Sequence, residues 1–280
     1  MTVPPREILA VEQKAKGSSF YSAMRLMPRD EREAMFAIYA FCRMVDDIAD
    51  DGVGTREERF AALTGWRRDL DTLYAGGMAI ESAFLKGAVA RYGLRKEDFL
   101  AVIDGMEMDV ARDIVAPDLA ILDLYCDRVA SAVGRLSVKV FGMDEGPGFD
   151  LAHHLGRALQ FTNILRDLDE DAEIGRLYLA RDHLESAGIA ASDPKTVLAN
   201  PRIDAACRAC ARLAHYHYEK ADAILRTKPK GRIRTPRLMG AVYAAILSAM
   251  EIEGWAPPRK RVSLPKTQLA MIVLRNGLMG

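Results

Sequence analysis

Two groups of side-chain oxygens are the residues of this sequence whose spacing is best suited to chemistry. The first group consists of four aspartates, Asp46, Asp47, Asp50 and Asp51. If this stretch is helical, Asp46 and Asp50 project from the same face, because residues four apart are neighbours on a helix surface. Their charges repel one another and oppose the helix dipole, which is negative at that end. A bound cation would relieve both costs, so the run indicates a cation site.

The second group places polar oxygens in a mainly apolar stretch. It consists of Gln160, Asn163, Asp167 and Asp171, spaced by three, four and four residues. That spacing predicts one line along a helix face. Carboxylate and amide oxygens suit Mg²⁺, which keeps several waters and completes its coordination shell with substrate phosphates. Two such lines facing each other across a gap predict metal ions that bridge the protein to a diphosphate.

Two other interpretations of the first group stay open from the residues alone. A solvated acidic helix end, unrelated to the second group, would contain the same aspartates. A calcium loop of the EF-hand type starting at Asp47 is disfavoured, because Ala49 replaces its third-position ligand and Gly54 its usual apolar residue. The presence of both oxygen-rich groups in one chain favours the diphosphate site.

The elements that must position these residues are predicted to be helices. Apolar residues recur at helical spacing, and no hairpin signal, βαβ rhythm or internal repeat interrupts them. The predicted helices are 33–49, 56–73, 96–108, 119–141, 150–168, 204–226 and 237–253. Asp118 and Asp204 are the expected N-caps of two of them. The pattern predicts one all-α domain over residues 1–280.

Composition excludes several classes of function. The 280 residues contain 39 basic and 39 acidic side chains, so no overall charge attracts nucleic acid, and no nucleic-acid partner is expected. The longest uncharged apolar stretch, 238–250, has 13 residues, whereas a membrane-spanning helix needs about 18. The N-terminus lacks the apolar region of a secretory signal. Four cysteines without disulfide-framework spacing suit a reducing compartment, so a cytoplasmic location is expected.

Ordered motifs along the chain are similar to those of the squalene and phytoene synthase family, from residue 16 to about 266. The matching segments are 17–21 (GSSFY), 37–50 (AIYAFCRMVDDIAD), 125–134 (YCDRVASAVG), 159–171 (LQFTNILRDLDED), 175–179 (GRLYL) and 239–243 (MGAVY). The resemblance implies an all-α, single-domain isoprenoid synthase of the class I terpenoid type, a helical bundle around a central apolar cavity. Within the family, 102–109, 124–138 and 254–258 most resemble bacterial enzymes of hopanoid and squalene biosynthesis that make presqualene diphosphate.

The resemblance also implies roles for the residues that match family motifs. The implied metal ligands are Asp46, Asp47, Asp50, Asn163, Asp167 and Asp171. The implied catalytic residues are Tyr39, Arg43, Arg166 and Tyr178. The implied substrate-binding residues are Ser18, Ser19, Phe20, Tyr125, Val129, Val133, Gly134, Gln160, Arg176, Arg234 and Tyr243. Arginine suits diphosphate binding because its planar guanidinium group donates two parallel hydrogen bonds to phosphate oxygens.

Ordinary structural roles stay open for some of these residues. An intrahelical ion pair with Asp46 or Asp47 would explain Arg43 without any phosphate contact. Core packing would explain Tyr39 and Phe20.

The implied reaction is the head-to-head condensation of two farnesyl diphosphate molecules to presqualene diphosphate. Mg²⁺ is the expected metal, with Mn²⁺ as a substitute, and NADPH is not expected. The proton acceptor is either a tyrosine or the released diphosphate. Alternatives are dehydrosqualene, squalene or phytoene synthesis, a class I terpene cyclase or chain-elongating prenyltransferase, and a non-catalytic helical assembly factor. Peripheral contact with the inner face of the membrane and with other isoprenoid-pathway enzymes is a further expectation.

Several remaining features are given structural interpretations. Cys207 and Cys210 form a lone C-x-x-C pair, for which zinc or redox use is disfavoured. The histidines at 153, 154, 215 and 217 lack a partner at i+4 and are interpreted as surface or capping residues. Segments 1–15 and 268–280 are interpreted as flexible or lid-forming.

Overall fold

The computed structural model of the chain describes residue 24 and residues 27–50 and 54–277. Within that part the chain forms α-helices and no β-strand, and one isolated parallel bridge joins Val115 to Leu177. The helices are α1 (Arg29–Asp50), α2 (Arg56–Tyr74), α3 (Lys86–Tyr92), α4 (Lys96–Ala111), α5 (Leu119–Cys126), α6 (Ala132–Val140), α7 (Glu145–Arg166), α8 (Leu168–Glu173), α9 (Arg181–Ser186), α10 (Pro194–Leu198), α11 (Ile203–Arg226), α12 (Arg234–Glu253) and α13 (Lys266–Gly277). The all-α prediction is confirmed.

The main differences from the predicted boundaries lie at helix starts. Helix α7 begins at Glu145 rather than at 150, because a proline in the first helical turn lacks only an N–H that has no intrahelical acceptor. The predicted N-cap at Asp204 is wrong, since Arg202 occupies that position. Asp204 lies in the first turn of α11, where its carboxylate accepts the Trp255 backbone N–H at 2.9 Å.

The start of α2 argues against the calcium-loop interpretation. Thr55 is the N-cap, and its hydroxyl accepts the Glu58 backbone N–H at 3.2 Å. The Glu58 carboxylate in turn accepts the Thr55 backbone N–H at 2.7 Å. This reciprocal capping box uses the side chain that an EF-hand would need as its last ligand.

The predicted helix 119–141 is continuous but not uniform. Between α5 and α6 runs one wide turn of π-helix, Asp127–Ser131. Helix α7 crosses this turn closely at Gly156, where a Cβ atom would lie 2.8 Å from the Ser131 backbone. Only glycine permits that approach. The π turn and the crossing together set how α5, α6 and α7 surround the space between them.

Among the described residues, buried side chains form two apolar clusters that α7 joins. The first half of α7 contributes Leu151 and Leu155 to a cluster shared with α1, α2, α4 and α6. The second half contributes Phe161 and Leu165 to a cluster shared with α11 and α12. The helix that holds the second oxygen-rich group is therefore fixed along its whole length by packing on both sides.

The predicted flexible or lid-forming segment 268–280 begins within a helix, and its role as a lid stays a prediction. Residues 266–277 form helix α13, which packs against α12, while 278–280 and the predicted N-terminal segment 1–15 lie outside the described residues. Across the described residues, every helix is too short or too polar to cross a membrane. The prediction of one domain over residues 1–280 stays a prediction.

Candidate active site

A cavity of about 410 Å³ opens between α1, α4, the π turn, α6, α7 and α12. Its wall is mainly apolar and includes Val102, Met106, Val138, Leu151, Leu155 and Leu159. Four residues predicted from the resemblance to form this wall, Tyr125, Val129, Val133 and Gly134, also line it. Polar side chains enter the cavity from α1 and α7. The arrangement is an apolar pocket with polar groups supplied by two helices.

Helix α1 presents a polar line to the cavity. Tyr39, Arg43 and Asp46 all line it, as their spacing of four and three residues requires. Arg43 also makes the predicted intrahelical ion pairs, at 2.7 Å to Asp46 and 2.7 Å to Asp47. The guanidinium thus neutralises part of the acidic run while facing the cavity.

Helix α7 presents a second polar line. Gln160, Asn163 and Arg166, spaced by three residues, line the same cavity, and Tyr243 of α12 lies in the wall with them. The amide oxygen of Asn163 is buried and has no hydrogen-bond partner within the part of the chain that the structure describes. A buried acceptor without a hydrogen-bond donor costs free energy, so a ligand that contacts this oxygen would stabilise the site.

The predicted straight line through Asp167 and Asp171 is interrupted. Helix α7 ends at Arg166, and Asp167 forms the junction to α8. Its carboxylate accepts hydrogen bonds from Arg166, at 2.8 and 2.6 Å, and from Arg261 at 2.8 Å. The helix predicted to residue 168 would have placed Asp167 on a regular helix face. In the structure Asp167 instead lies at a helix end, and its carboxylate lies between two arginines.

The two acidic groups lie in one region of the structure. Burial, together with the charge of Asp50, raises the pKa of Asp46 to about 7. Burial, together with the charges of Asp167, Asp50 and Asp109, raises the pKa of Asp171 to about 7, although Arg176 acts against it. Arg176 joins the two groups, because its backbone N–H donates to the Asp171 carbonyl at 2.9 Å and its guanidinium donates to Asp50, so the ends of α1 and α8 lie close together.

These residues fit a divalent cation. The unpartnered Asn163 oxygen and the Asp46 carboxylate line one cavity. Burial raises the pKa values of Asp46 and Asp171, so a bound cation would stabilise the charged forms of both carboxyl groups. The available donors are all oxygens, which is the ligand chemistry of Mg²⁺ and Mn²⁺ rather than of softer metals.

The comparisons with known proteins identify the family. Residues 13–268 match the family model described as squalene/phytoene synthase. The chain belongs to the squalene/phytoene synthase family. It is 59% identical to presqualene diphosphate synthase of Zymomonas mobilis, over 93% of this chain and 89% of that protein. It is 52% identical to the presqualene diphosphate synthase of Sinorhizobium fredii, over 95% of both chains.

Solved structures agree with this membership. The squalene synthase from Alicyclobacillus acidocaldarius matches with a TM-score of 0.77 and 28% identity, over 90% of this chain and 95% of that one. A dehydrosqualene synthase matches with a TM-score of 0.80, over 98% of this chain and 96% of that one. At 22% identity, this match supports only the similarity of the fold. The class I terpenoid synthase fold expected from the resemblance is confirmed.

Asp109 of α4 lies directly behind the cavity wall, in contact with Tyr125, and the spacing arguments missed it. Its buried carboxylate accepts hydrogen bonds from Tyr178 at 2.7 Å and from Tyr125 at 3.0 Å, and the two rings stack with centroids 4.8 Å apart. Burial raises the pKa of Asp109 to about 6, although Arg176 and both tyrosines act against it. In the sequence, Asp113 stands at i+4 from Asp109, but the predicted helix ends at residue 108, so only the place of Asp109 in the family-like stretch 102–109 could have singled it out.

Several predicted site residues lie behind or outside the cavity. Tyr178 and Arg176 do not line it. Arg176 instead binds Asp50 at 2.5 Å and the Ala49 carbonyl at 3.0 Å, so it supports the end of α1. Arg234 is exposed at the start of α12 and does not line the cavity. The predicted residues Ser18, Ser19 and Phe20 lie outside the described residues.

Proposed function

We propose that this member of the family condenses two farnesyl diphosphate molecules head to head, forms presqualene diphosphate and releases diphosphate. The observation that carries the proposal is that Asp46 and Asn163, one from each oxygen-rich group, line one mainly apolar cavity. Relatives named presqualene diphosphate synthase, at 51–59% identity over at least 93% of this chain, support the choice of product. The proposed roles of the predicted residues that line this cavity follow from the same observation.

The side chains at the cavity's polar end would bind the diphosphates. Asp46 and Asn163, which line the cavity, would hold Mg²⁺ together with Asp47, Asp50, Asp167 and Asp171, which do not line it. When bound, the ion neutralises charge on the departing diphosphate. Arg43 and Arg166, which both line the cavity, would grip phosphate oxygens directly. Arg43 would then exchange part of its present pairing with Asp46 and Asp47 for phosphate.

The apolar wall would hold the prenyl chains and exclude water from the allylic cation formed when the C1–O bond of the donor breaks. The C2–C3 double bond of the acceptor then attacks that C1, and loss of a proton closes the cyclopropane. Burial raises the pKa of Tyr39, and it raises those of Tyr125 and Tyr178 well above the ordinary value. These phenols therefore keep their protons at neutral pH, which favours the released diphosphate as the proton acceptor.

Product analysis tests the proposal directly. With farnesyl diphosphate and Mg²⁺ alone, mass spectrometry is expected to detect presqualene diphosphate as the C30 product, unchanged in amount by NADPH. Squalene formed only with NADPH would indicate the two-step reaction, and dehydrosqualene would indicate a different second step. A C15 cyclic hydrocarbon would contradict head-to-head joining, and a preference for geranylgeranyl diphosphate would indicate phytoene synthesis.

Mg²⁺ is expected to stabilise the protein more at pH 8 than at pH 5.5. The pKa values of Asp46 and Asp171 are raised to about 7 from an ordinary value of about 3.9, so their contribution to stability is lost as pH rises through 7. Mg²⁺ reverses this loss at pH 8 but must displace protons at pH 5.5. Thermal unfolding with Mg²⁺ and with EDTA measures the difference. An equal Mg²⁺-induced rise in Tm at both pH values would contradict the assigned ligands.

Peripheral contact with the inner face of the membrane is a secondary part of the proposal. Helix α13 exposes Met271 and Leu274, each 63% exposed, beside the basic residues Lys266 and Arg275. Apolar side chains flanked by basic ones suit a membrane surface. Sedimentation with anionic vesicles tests this contact, and loss of co-sedimentation on Leu274→Glu is the expected result.

A further inference from the structure

Three histidines that the proposed reaction does not use meet between α7 and α11. His153 and His154 lie on α7 and His217 lies on α11, and one ring nitrogen of each can be chosen so that all three lie within 4.8 Å of one another. The Nδ1 atoms of His154 and His217 are 2.9 Å apart. None of the three lines the cavity, although the neighbouring Ala152 and Leu155 do. The cluster is therefore separate from the proposed active site.

The interpretation of these histidines as surface or capping residues is wrong for His217. Its side chain is 8% exposed, and its partners come from another helix. Sequence spacing within one helix cannot detect such a contact. The interpretation holds better for His215, which is partly exposed and pairs with Glu251 at 3.0 Å.

The surroundings of the cluster favour the neutral form of its imidazoles. Burial lowers the pKa of His153 and of His154, and it lowers that of His217 to about 4, with the neighbouring histidines and Arg157 acting in the same direction. A neutral imidazole keeps a lone pair on one nitrogen, which is the form that binds metal ions. Three neutral imidazoles facing one another are thus an available ligand set.

We propose that His153, His154 and His217 form a binding site for a divalent transition metal ion such as Zn²⁺. Imidazole nitrogens suit Zn²⁺, Co²⁺, Ni²⁺ and Cu²⁺, whereas the oxygen-rich cavity suits Mg²⁺. Three protein ligands with an open fourth position are a common zinc geometry. His153 is exposed, so an ion can enter from solvent. The bound ion would link α7 to α11 and stabilise the packing of the helix that carries Asn163.

The guanidinium of Arg157, which contacts His153, can give up this contact when a metal ion binds. Its Nη1 lies 2.9 Å from His153 Nδ1 and equally 2.9 Å from the Ser131 hydroxyl. Its Nε and Nη2 bind the two oxygens of Asp123 at 2.7 and 2.9 Å, and Asp127 lies 3.2 Å from Nη1. Arg157 therefore keeps good acceptors if His153 turns its nitrogen toward an ion, and two carboxylates compensate its charge.

Calorimetric titration of the metal-stripped, full-length protein with Zn²⁺, in excess Mg²⁺ to fill the oxygen-rich site, tests the proposal. We expect one equivalent to bind and to raise Tm in a way that EDTA reverses. His153→Gln and His154→Gln should each weaken binding by at least about tenfold. Both residues have solvent access, so these variants avoid the folding risk of replacing His217.

Matched controls separate this site from the others that could hold the ion. His215→Gln and His183→Gln remove the two histidines outside the cluster and should bind Zn²⁺ as the wild type does. Asp46→Asn should also leave Zn²⁺ binding unchanged, so the outcome does not depend on the proposed function. No Zn²⁺ binding in excess Mg²⁺, or unchanged binding in both His153→Gln and His154→Gln, would overturn the proposal and place any bound ion elsewhere, for example at Cys207 and Cys210.

Discussion

Asp46→Asn and Asp167→Asn are each expected to lower kcat/KM for farnesyl diphosphate by about 10²–10³, the usual effect of losing one stabiliser of developing negative charge. The kcat/KM of the double variant should be at most about tenfold lower than that of the less active single variant, because residues that act as a unit lose their function together. Steady-state kinetics over a range of Mg²⁺ concentrations measures both effects. Fully multiplicative losses would contradict one shared metal–diphosphate site.

Destabilisation of the fold should not explain the lower kcat/KM of Asp46→Asn. The Asp46 carboxylate is desolvated and repelled by Asp50, so a neutral amide removes an unfavourable charge, while Arg43 keeps Asp47. We expect the metal-free Tm of this variant to equal or exceed that of the wild type. Asp169→Asn is the matched control, because Asp169 follows Asp167 by two residues but is 56% exposed and binds Arg259. A comparable loss of turnover in Asp169→Asn would contradict a specific role for Asp167.

The part of the site that the sequence predicted is the part built from local spacing. Asp46 follows from spacing along α1, and Gln160 and Asn163 follow from spacing along α7, because helical periodicity fixes which side chains share a face. The roles of Tyr39 and Arg43 were predicted from the family resemblance. The same periodicity could not show that the two faces enclose one cavity. The family resemblance supplied that expectation, and the cavity lined by Asp46 and Asn163 agrees with it.

The features that the sequence did not predict depend on contacts between distant segments. Asp167 leaves the regular face at a helix junction, where Arg261, 94 residues later, binds it. His217 is buried because α7 supplies its partner. The π turn at Asp127–Ser131 has no local composition signal, and it coincides with the close crossing at Gly156. Periodicity assigns helices, but it does not determine how their ends and crossings are made.

Asp109→Ala is expected to destabilise the protein by about 3–5 kcal/mol, the typical effect of removing one partner from a buried charged network. The change would leave the hydroxyls of Tyr125 and Tyr178 without their acceptor, and Arg176 would keep Asp50 but lose the second carboxylate near it. Asp109→Asn keeps an acceptor oxygen and should lose less, about 1–3 kcal/mol. Urea unfolding of both variants, with a check that the m-value is unchanged, measures these effects.

Turnover should fall with Asp109→Asn even where the protein is fully folded. Arg176 lies between Asp109 and Asp50, at 4.0 and 2.5 Å, so the Asp109 charge helps to hold the arginine that supports the end of α1. We expect the apparent Mg²⁺ affinity to weaken by about 10- to 100-fold, as for other residues that orient metal ligands. Asp104→Asn on the same helix is the control, since Asp104 is partly exposed and Arg67 keeps Glu107. Unchanged Mg²⁺ dependence in a folded Asp109→Asn variant would mean that Asp109 stabilises the fold without positioning the proposed metal ligands.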